Sequence, residues 1–173
     1  MNNNLELVTF NKNYVQDLQR WRNHKSATLH NPFETRTIKE LEERFALESS
    51  DLSLIYKKQN FRWFGQLDGR IVSNISLKNI NQMMKTAEIG YGVAPEHQRQ
   101  GIGKETVRLL VNKVFKETDL RKIYAHVHIE NISSCRLLES IGFEKEGVLR
   151  EHYILNDKAV DEVFYGLLKK DWS

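Results

Sequence analysis

Cysteine, proline and long apolar runs are scarce in this chain of 173 residues. Its one cysteine, Cys135, excludes an internal disulfide and fits a reducing cytosol. No run approaches the roughly 18 apolar residues that mark a membrane helix, so no membrane segment and a cytoplasmic location are expected. The start, MNNNLELVTF, lacks a basic segment followed by an apolar one, so no secretory leader is expected. Only Pro32 and Pro95 occur, and no Ser/Gly linker, repeat or low-complexity tract interrupts the chain; one domain over residues 1–173 is expected. Charge of one sign is missing too. The net charge is +3, with bases scattered among acids, which argues against a nucleic-acid groove.

What is present is patterned. Leu5–Phe10 alternates like an edge strand. Asn13 is placed to cap a helix running to about Asn23, with Val15, Leu18 and Trp21 on one stripe. Thr37 opens a second helix carrying Ile38, Leu41, Phe45 and Leu47. Residues 52–57 and 61–67 read as strands, and Asp68-Gly69 turns the chain into a strand over 70–78. Residues 86–93 and 122–129 read as strands, 103 to about 118 as an amphipathic helix, and 131–140 as a short helix ended by Gly142. Closing strands are expected at 143–149 and 161–168. The order is α+β.

The segment QRQGIGKE, Gln98 to Glu105, joins a strand to the amphipathic helix. A helix N-terminus offers unpaired N–H groups and about half a positive charge. Gly101 and Gly103 let backbone approach a bulky anion, and Lys104 adds a cation, so a pyrophosphate is a reasonable guest. A Walker loop fails on Gln98 and Glu105, and a dinucleotide fingerprint fails on Thr106, where a third glycine should stand. A glycine-rich connection without a ligand stays open on the loop alone.

Gln98-x-x-Gly101-x-Gly103, following AEIGYGVAPEHQ, resembles the acetyl-CoA loop of the GNAT acetyltransferases. NISSCRLLESIGF, residues 131–143, resembles the second signature of that family. SLKNINQMMKTAEIGYGV and EKEGVLREHYILND look like the branch that acetylates N-terminal amines of ribosomal proteins. The resemblance covers about residues 5–170. It implies a GNAT fold, with a mixed, mostly antiparallel sheet of six or seven strands flanked by about four helices. It also implies transfer of acetyl from acetyl-CoA to a primary amine, most plainly a protein N-terminal α-amine. A small amine (polyamine, amino sugar or aminoglycoside) and a non-catalytic CoA-binding regulator are the alternatives. A homodimer is left open, and neither nucleic acid nor membrane is expected as a partner.

Carried residue by residue, the resemblance puts CoA against Gln98, Arg99, Gln100, Gly101, Ile102, Gly103 and Lys104. It places the pantetheine arm beside Tyr91, Gly92 and Val93, whose backbone N–H groups are candidates for the oxyanion site. Gly90 and Gly92 suggest a bulge or close approach in that strand. Asn131 is an N-cap, a contact to the pantetheine amides, or both; Arg136 meets a phosphate or solvent. Glu88 is the candidate base or else a structural carboxylate. The family's acid, a tyrosine, is replaced by Leu138, which leaves Ser134, Tyr91 or water to protonate the thiolate. Trp21, Arg22, Asn23, Glu151 and Tyr153 are acceptor-side candidates, and Glu34, Glu88 and Glu151 are the acids near a basic acceptor. His126 and His128 share a strand face without a third ligand, so no metal is expected.

Overall fold

A computed structural model describes residues 4–31 and 35–172, which leaves residues 1–3, 32–34 and 173, Pro32 and Glu34 among them, outside the description. Seven strands form one sheet: β1 Glu6–Val8, β2 Phe61–Leu67, β3 Arg70–Asn81, β4 Thr86–Val93, β5 Lys122–His128, β6 Glu144–Leu155 and β7 Lys158–Leu168. The order is β1-β2-β3-β4-β5-β7-β6. Among the described strands only the β4–β5 pair is parallel. Among the described residues there are five α-helices: α1 Val15–Arg22, α2 Lys25–Thr28, α3 Ile38–Leu47, α4 Ile102–Glu117 and α5 Ile132–Glu139. None is long and apolar enough to cross a membrane.

Strand alternation sorts the side chains into two cores. Phe61, Trp63, Ile75, Leu77, Ala87, Ile89, Ile123 and Ala125 face one way and meet Val107, Leu110, Val111 and Val114 of α4. Phe64 and Ile71 face the other way and meet Val15, Leu18 and Trp21 of α1 and Leu41 and Phe45 of α3. Ile38 and Leu47, expected on the α3 stripe, are exposed. Thr37 closes a capping box with Glu40 at the start of α3. The α4 helix is also docked by polar atoms. Thr106 donates to the Ile102 carbonyl at 2.8 Å, so its shared 2.7 Å contact with Ser73 is donated by Ser73. Thr106 fills the place where a dinucleotide loop would need glycine.

Three local expectations change. Residues 52–57 are not a strand: Asp51 accepts from the Ser53 N–H and starts a 3-10 turn over Leu52–Leu54. Asn11, not Asn13, is the cap ahead of α1, accepting from the Asn13 N–H. The closing strands are far longer than expected, and meet at Asn156-Asp157, both at positive φ (50° and 61°), which is the turn a right-twisted hairpin favours.

Candidate active site

The site begins where β4 and β5 part. They pair only at Thr86–Lys122, Ala87–Ile123 and Glu88–Tyr124. Past Glu88, β4 continues against β3 and β5 continues against β7. The polar backbone of β4 on its β5 side is therefore open to a cleft, where a ligand amide can add to it. The glycines do not make this opening by a bulge. Gly90 and Gly92 sit in unbroken register with Ser76 and Asn74. A Cβ at Gly92 would lie 3.2 Å from the Asn74 amide nitrogen, so the missing side chain relieves cross-strand crowding. The bulge lies in β3 instead, between Lys78 and Asn81, with Asn79 at φ 50°.

The loop between β4 and α4 is built to leave donors free. Gly101 takes φ 81° at the N-cap, and no side chain caps α4. The helix's first-turn N–H groups, through Lys104, therefore lack a partner within the helix, since bonding starts with Glu105 N–H to the Gly101 carbonyl at 3.1 Å. A Cβ at Gly101 would meet nothing within 4 Å, which is the room an anion needs. Arg99 and Lys104 are exposed cations around it. The side chains of Gln98 and Gln100 bond within the protein: Gln98 donates to Ser26 Oγ at 3.1 Å, and Gln100 donates to the Glu96 carbonyl at 3.1 Å. Gly103 serves packing. A Cβ there would come within 2.9 Å of Leu137 Cδ1 and 3.2 Å of Val93 Cγ2. Asn131 is an N-cap whose Oδ1 accepts from the Ser134 N–H at 3.2 Å, and the residue lines the cleft. Arg136 is exposed on α5.

Tyr91 and Ser134 share a hydroxyl contact of 2.6 Å across the fork, joining β4 to α5. Burial pushes the Tyr91 phenol up to about 12, against the lowering effect of Ser134. Leu138 is fully buried in the main core, so its position serves packing.

Below the fork lies a cavity of about 480 Å³. Four of the six histidines line it: His30, His126, His128 and His152. Glu88 stands at its inner wall, only 6% exposed. Asn79 Nδ2 donates to one oxygen at 2.6 Å; Lys78 Nζ, at 3.0 Å, and His126 Nδ1, at 3.4 Å, meet the other. Burial alone would raise this carboxyl, but His126, Lys78 and Asn79 outweigh it and hold it at about 2. Moving a proton to it from an α-ammonium of ordinary value near 8 is uphill by about 8 kcal/mol. Glu88 is thus a poor proton acceptor and a firm anchor for positive charge.

The outer wall comes from β6, β7 and the segment after α2. His152 Nδ1 is 2.6 Å from Glu162. Tyr153 donates to the His30 carbonyl at 3.0 Å, pinning that segment over the cavity. His128 Nδ1 accepts from the Glu130 N–H at 3.0 Å, which puts its ring proton on Nε2. Burial, then the neighbouring His128, lower His30 below its ordinary value. Among the described residues no three of His, Cys, Asp and Glu gather as metal ligands.

Several expected residues lie elsewhere. Trp21 is buried in the second core and borders a separate hollow with Arg20, His24, Pro95 and Glu96. Arg22 and Asn23 are absent from the cavity wall, as is Glu151, which sits exposed at φ 49° on an irregular stretch of β6. Of the acceptor-side candidates only Tyr153 lines the cavity, and Glu34 lies outside the described residues. Sequence reasoning missed Lys78, Asn79, His30, His152 and Glu162. Lys78 could have been found from the β3–β4 register, which sets it opposite Glu88.

The profile of the acetyltransferase (GNAT) domain matches residues 4–144. A putative ribosomal N-acetyltransferase of Bacillus subtilis, YdaF, is 36% identical over 106 residues, covering 61% of this chain and 58% of that protein. The spermidine N(1)-acetyltransferase of Vibrio cholerae is 33% identical over 91 residues, 53% of each chain. The match thus spans less than two thirds of either relative. A crystal structure of spermidine N-acetyltransferase from Vibrio cholerae with CoA and spermine superposes with a TM-score of 0.82 over 96% of both chains, at 24% identity, a likeness of fold alone. With the forked sheet and open-ended α4 in place, the chain belongs to the GNAT family of acetyl-CoA-dependent N-acetyltransferases.

Proposed function

We propose that the protein acetylates the N-terminal α-amine of a protein or peptide, a ribosomal protein being the class that its Bacillus relative suggests. The observation that carries this reading is the charge of the cavity. Among the described residues its wall holds two carboxylates, Glu88 and Glu162, and one ammonium, Lys78, which Glu88 already pairs. That leaves the equivalent of one negative charge. A polyamine brings two or three ammonium groups, and each buried one needs its own partner. A single α-ammonium matches. Imidazoles and the Asn131 amide suit a peptide backbone better than a chain of methylenes. An α-amine also loses its proton at about 1–1.5 kcal/mol at pH 7, against about 4–5 kcal/mol for a lysine.

Acetyl-CoA supplies an activated thioester. For the residues, the first-turn N–H groups of α4, with Arg99 and Lys104, would receive its pyrophosphate. Backbone groups of Tyr91, Gly92 and Val93 and the Asn131 amide would hold the pantetheine arm. A backbone N–H in this stretch would stabilise charge developing on the carbonyl oxygen. Tyr91, held by Ser134, would meet the leaving sulfur.

The test is mass spectrometry of an acceptor panel incubated with the protein and acetyl-CoA. The panel holds peptides with free Ser or Ala N-termini, the same peptides N-blocked with a free lysine, spermidine, and an aminoglycoside. One acetyl group gained on the free N-terminus alone is the expected result. Acetylation of spermidine alone would overturn the charge argument and favour the second reading, which the Vibrio relative supports.

A further inference from the structure

Glu88 cannot easily take a proton, yet it is surrounded by groups that hold it ionised beside an imidazole. His126 Nδ1 faces Glu88 at 3.4 Å, while Nε2 of the same ring has no hydrogen-bond partner among the described residues and the ring lines the cavity. A carboxylate on Nδ1 fixes the proton there and leaves a lone pair on Nε2. It also stabilises the imidazolium that forms when Nε2 accepts a proton. The 3.4 Å separation is long, as such contacts often are before a substrate closes the site.

We propose that His126 is the proton acceptor for the attacking amine, with Glu88 as the positioning residue that orients its ring. The proposal rests on acetyl transfer to an amine, whichever amine that is. The other imidazoles are less suited. His128 has its Nδ1 lone pair engaged by the Glu130 N–H, and its Nε2 therefore carries the proton. His30 belongs to the segment that Tyr153 pins over the cavity, and its buried Nδ1 has no hydrogen-bond partner among the described residues. His152 pairs with Glu162 but is 46% exposed at the rim, against 20% for His126. The groups facing His126 are Glu88 from β4, with Lys78 of β3 behind it, Tyr124 beside it on β5, His152 of β6 and Phe164 of β7. Phe164 and Tyr124 hold the ring by edge and tilt, so the carboxylate need only set its rotation.

The step balances. An ammonium in the cleft gives one proton to Nε2 and becomes nucleophilic. Its nitrogen forms the C–N bond while the C–S bond breaks and sulfur leaves with the electron pair. The surplus proton on nitrogen passes to sulfur through solvent. The imidazolium returns its proton to water, so one proton is released per acetyl group moved.

Three variants and one spectroscopic signature test this. With an acetylated amine from the panel, H126Q should lose about 100-fold in kcat/KM at neutral pH. It should recover as the pH passes the amine's own value, where the free base needs no acceptor, and its acetyl-CoA affinity by calorimetry should stay at the wild-type level. E88Q should lose less and keep the wild-type dependence on an acceptor. A pH profile in H126Q parallel to wild type would overturn the proposal. So would the H126Q behaviour appearing in H152Q, or an E88Q loss larger than that of H126Q. If no panel amine is acetylated, the reading of the acceptor fails, but His126 is still testable. Ring ¹⁵N shifts should show the proton of neutral His126 on Nδ1 in the wild type and no such preference in E88Q. A proton on Nε2 in the wild type, or an unchanged tautomer in E88Q, would overturn the proposal without any assay of turnover.

Discussion

A tyrosine hydroxyl that burial pushes up to about 12 keeps its proton at neutral pH. Full transfer to a thiolate of about 8.5 would be uphill by about 5 kcal/mol. Tyr91 is therefore better suited to donate a hydrogen bond to the sulfur than to protonate it, with Ser134 holding the ring in place. One hydrogen bond of this kind is worth about 1–1.5 kcal/mol. Y91F should lower kcat about 10-fold and leave the KM for acetyl-CoA near wild type. Steady-state thiol release checks it, and a ~1000-fold loss would make Tyr91 a true proton donor. The sequence names Glu88, Tyr91 and Ser134 because they fall on motif positions. It does not name His152, Glu162 or His30. Those reach the cavity from a distant hairpin and from the segment after α2, and no local spacing encodes that meeting. Trp21 misleads for the opposite reason. An apolar stripe predicts burial correctly, and burial in the second core is what takes it from the cleft.

At the scale of elements, local chemistry is legible and long-range pairing is not. The α3 capping box, the Asp68-Gly69 turn and α4 all follow from residues within a few positions of each other. Residues 52–57 look like a strand because their apolar residues are dense. Leu52 and Ile55 are both buried at a spacing of three, and the Asp51 cap tips them into a turn. The outer half of β6, with its exposed Arg-Glu-His, shows no alternation. Those three residues bulge between Leu149 and Tyr153, and the strand resumes because Tyr153, Ile154 and Leu155 pair with Val160, Ala159 and Lys158 of β7. The α4 loop gives a prediction at this scale. G101D should abolish measurable acetyl-CoA binding, because its carboxylate would sit where the helix dipole draws the pyrophosphate. A side chain at φ 81° costs about 1 kcal/mol, so the fold should survive with a melting point a few degrees lower. G103A should behave in reverse. Its Cβ would press on Leu137 and Val93, so stability should fall by about 1 kcal/mol while CoA affinity changes little. Calorimetry and thermal melts of the two variants separate the roles, and equal loss of affinity in both would show that Gly103 also faces the ligand.

For the whole molecule, the site's charges act on stability as well as on chemistry. Glu88 is held at about 2 in the fold, against an ordinary carboxyl value of 4.5. A group whose value is lowered on folding stabilises the fold when ionised. The stabilisation is fully present above 4.5 and is lost as the pH falls toward 2. The shift corresponds to about 3 kcal/mol, a large share of the margin of a typical domain. His30 pulls the same way, because its value is also lowered by folding and it must be charged as the pH falls below its ordinary 6.5. The cleft around Glu88 and His30 should then be where acid attacks this protein first. E88Q separates the two contributions, since it cannot ionise and keeps His30. At pH 7 the variant should be about 3 kcal/mol less stable than wild type in urea, and the two curves should converge as the pH approaches 2. A gap that stays constant with pH would mean that Glu88 stabilises the fold by packing and neutral hydrogen bonds. Its ionised state would then lose its place as the anchor that orients His126.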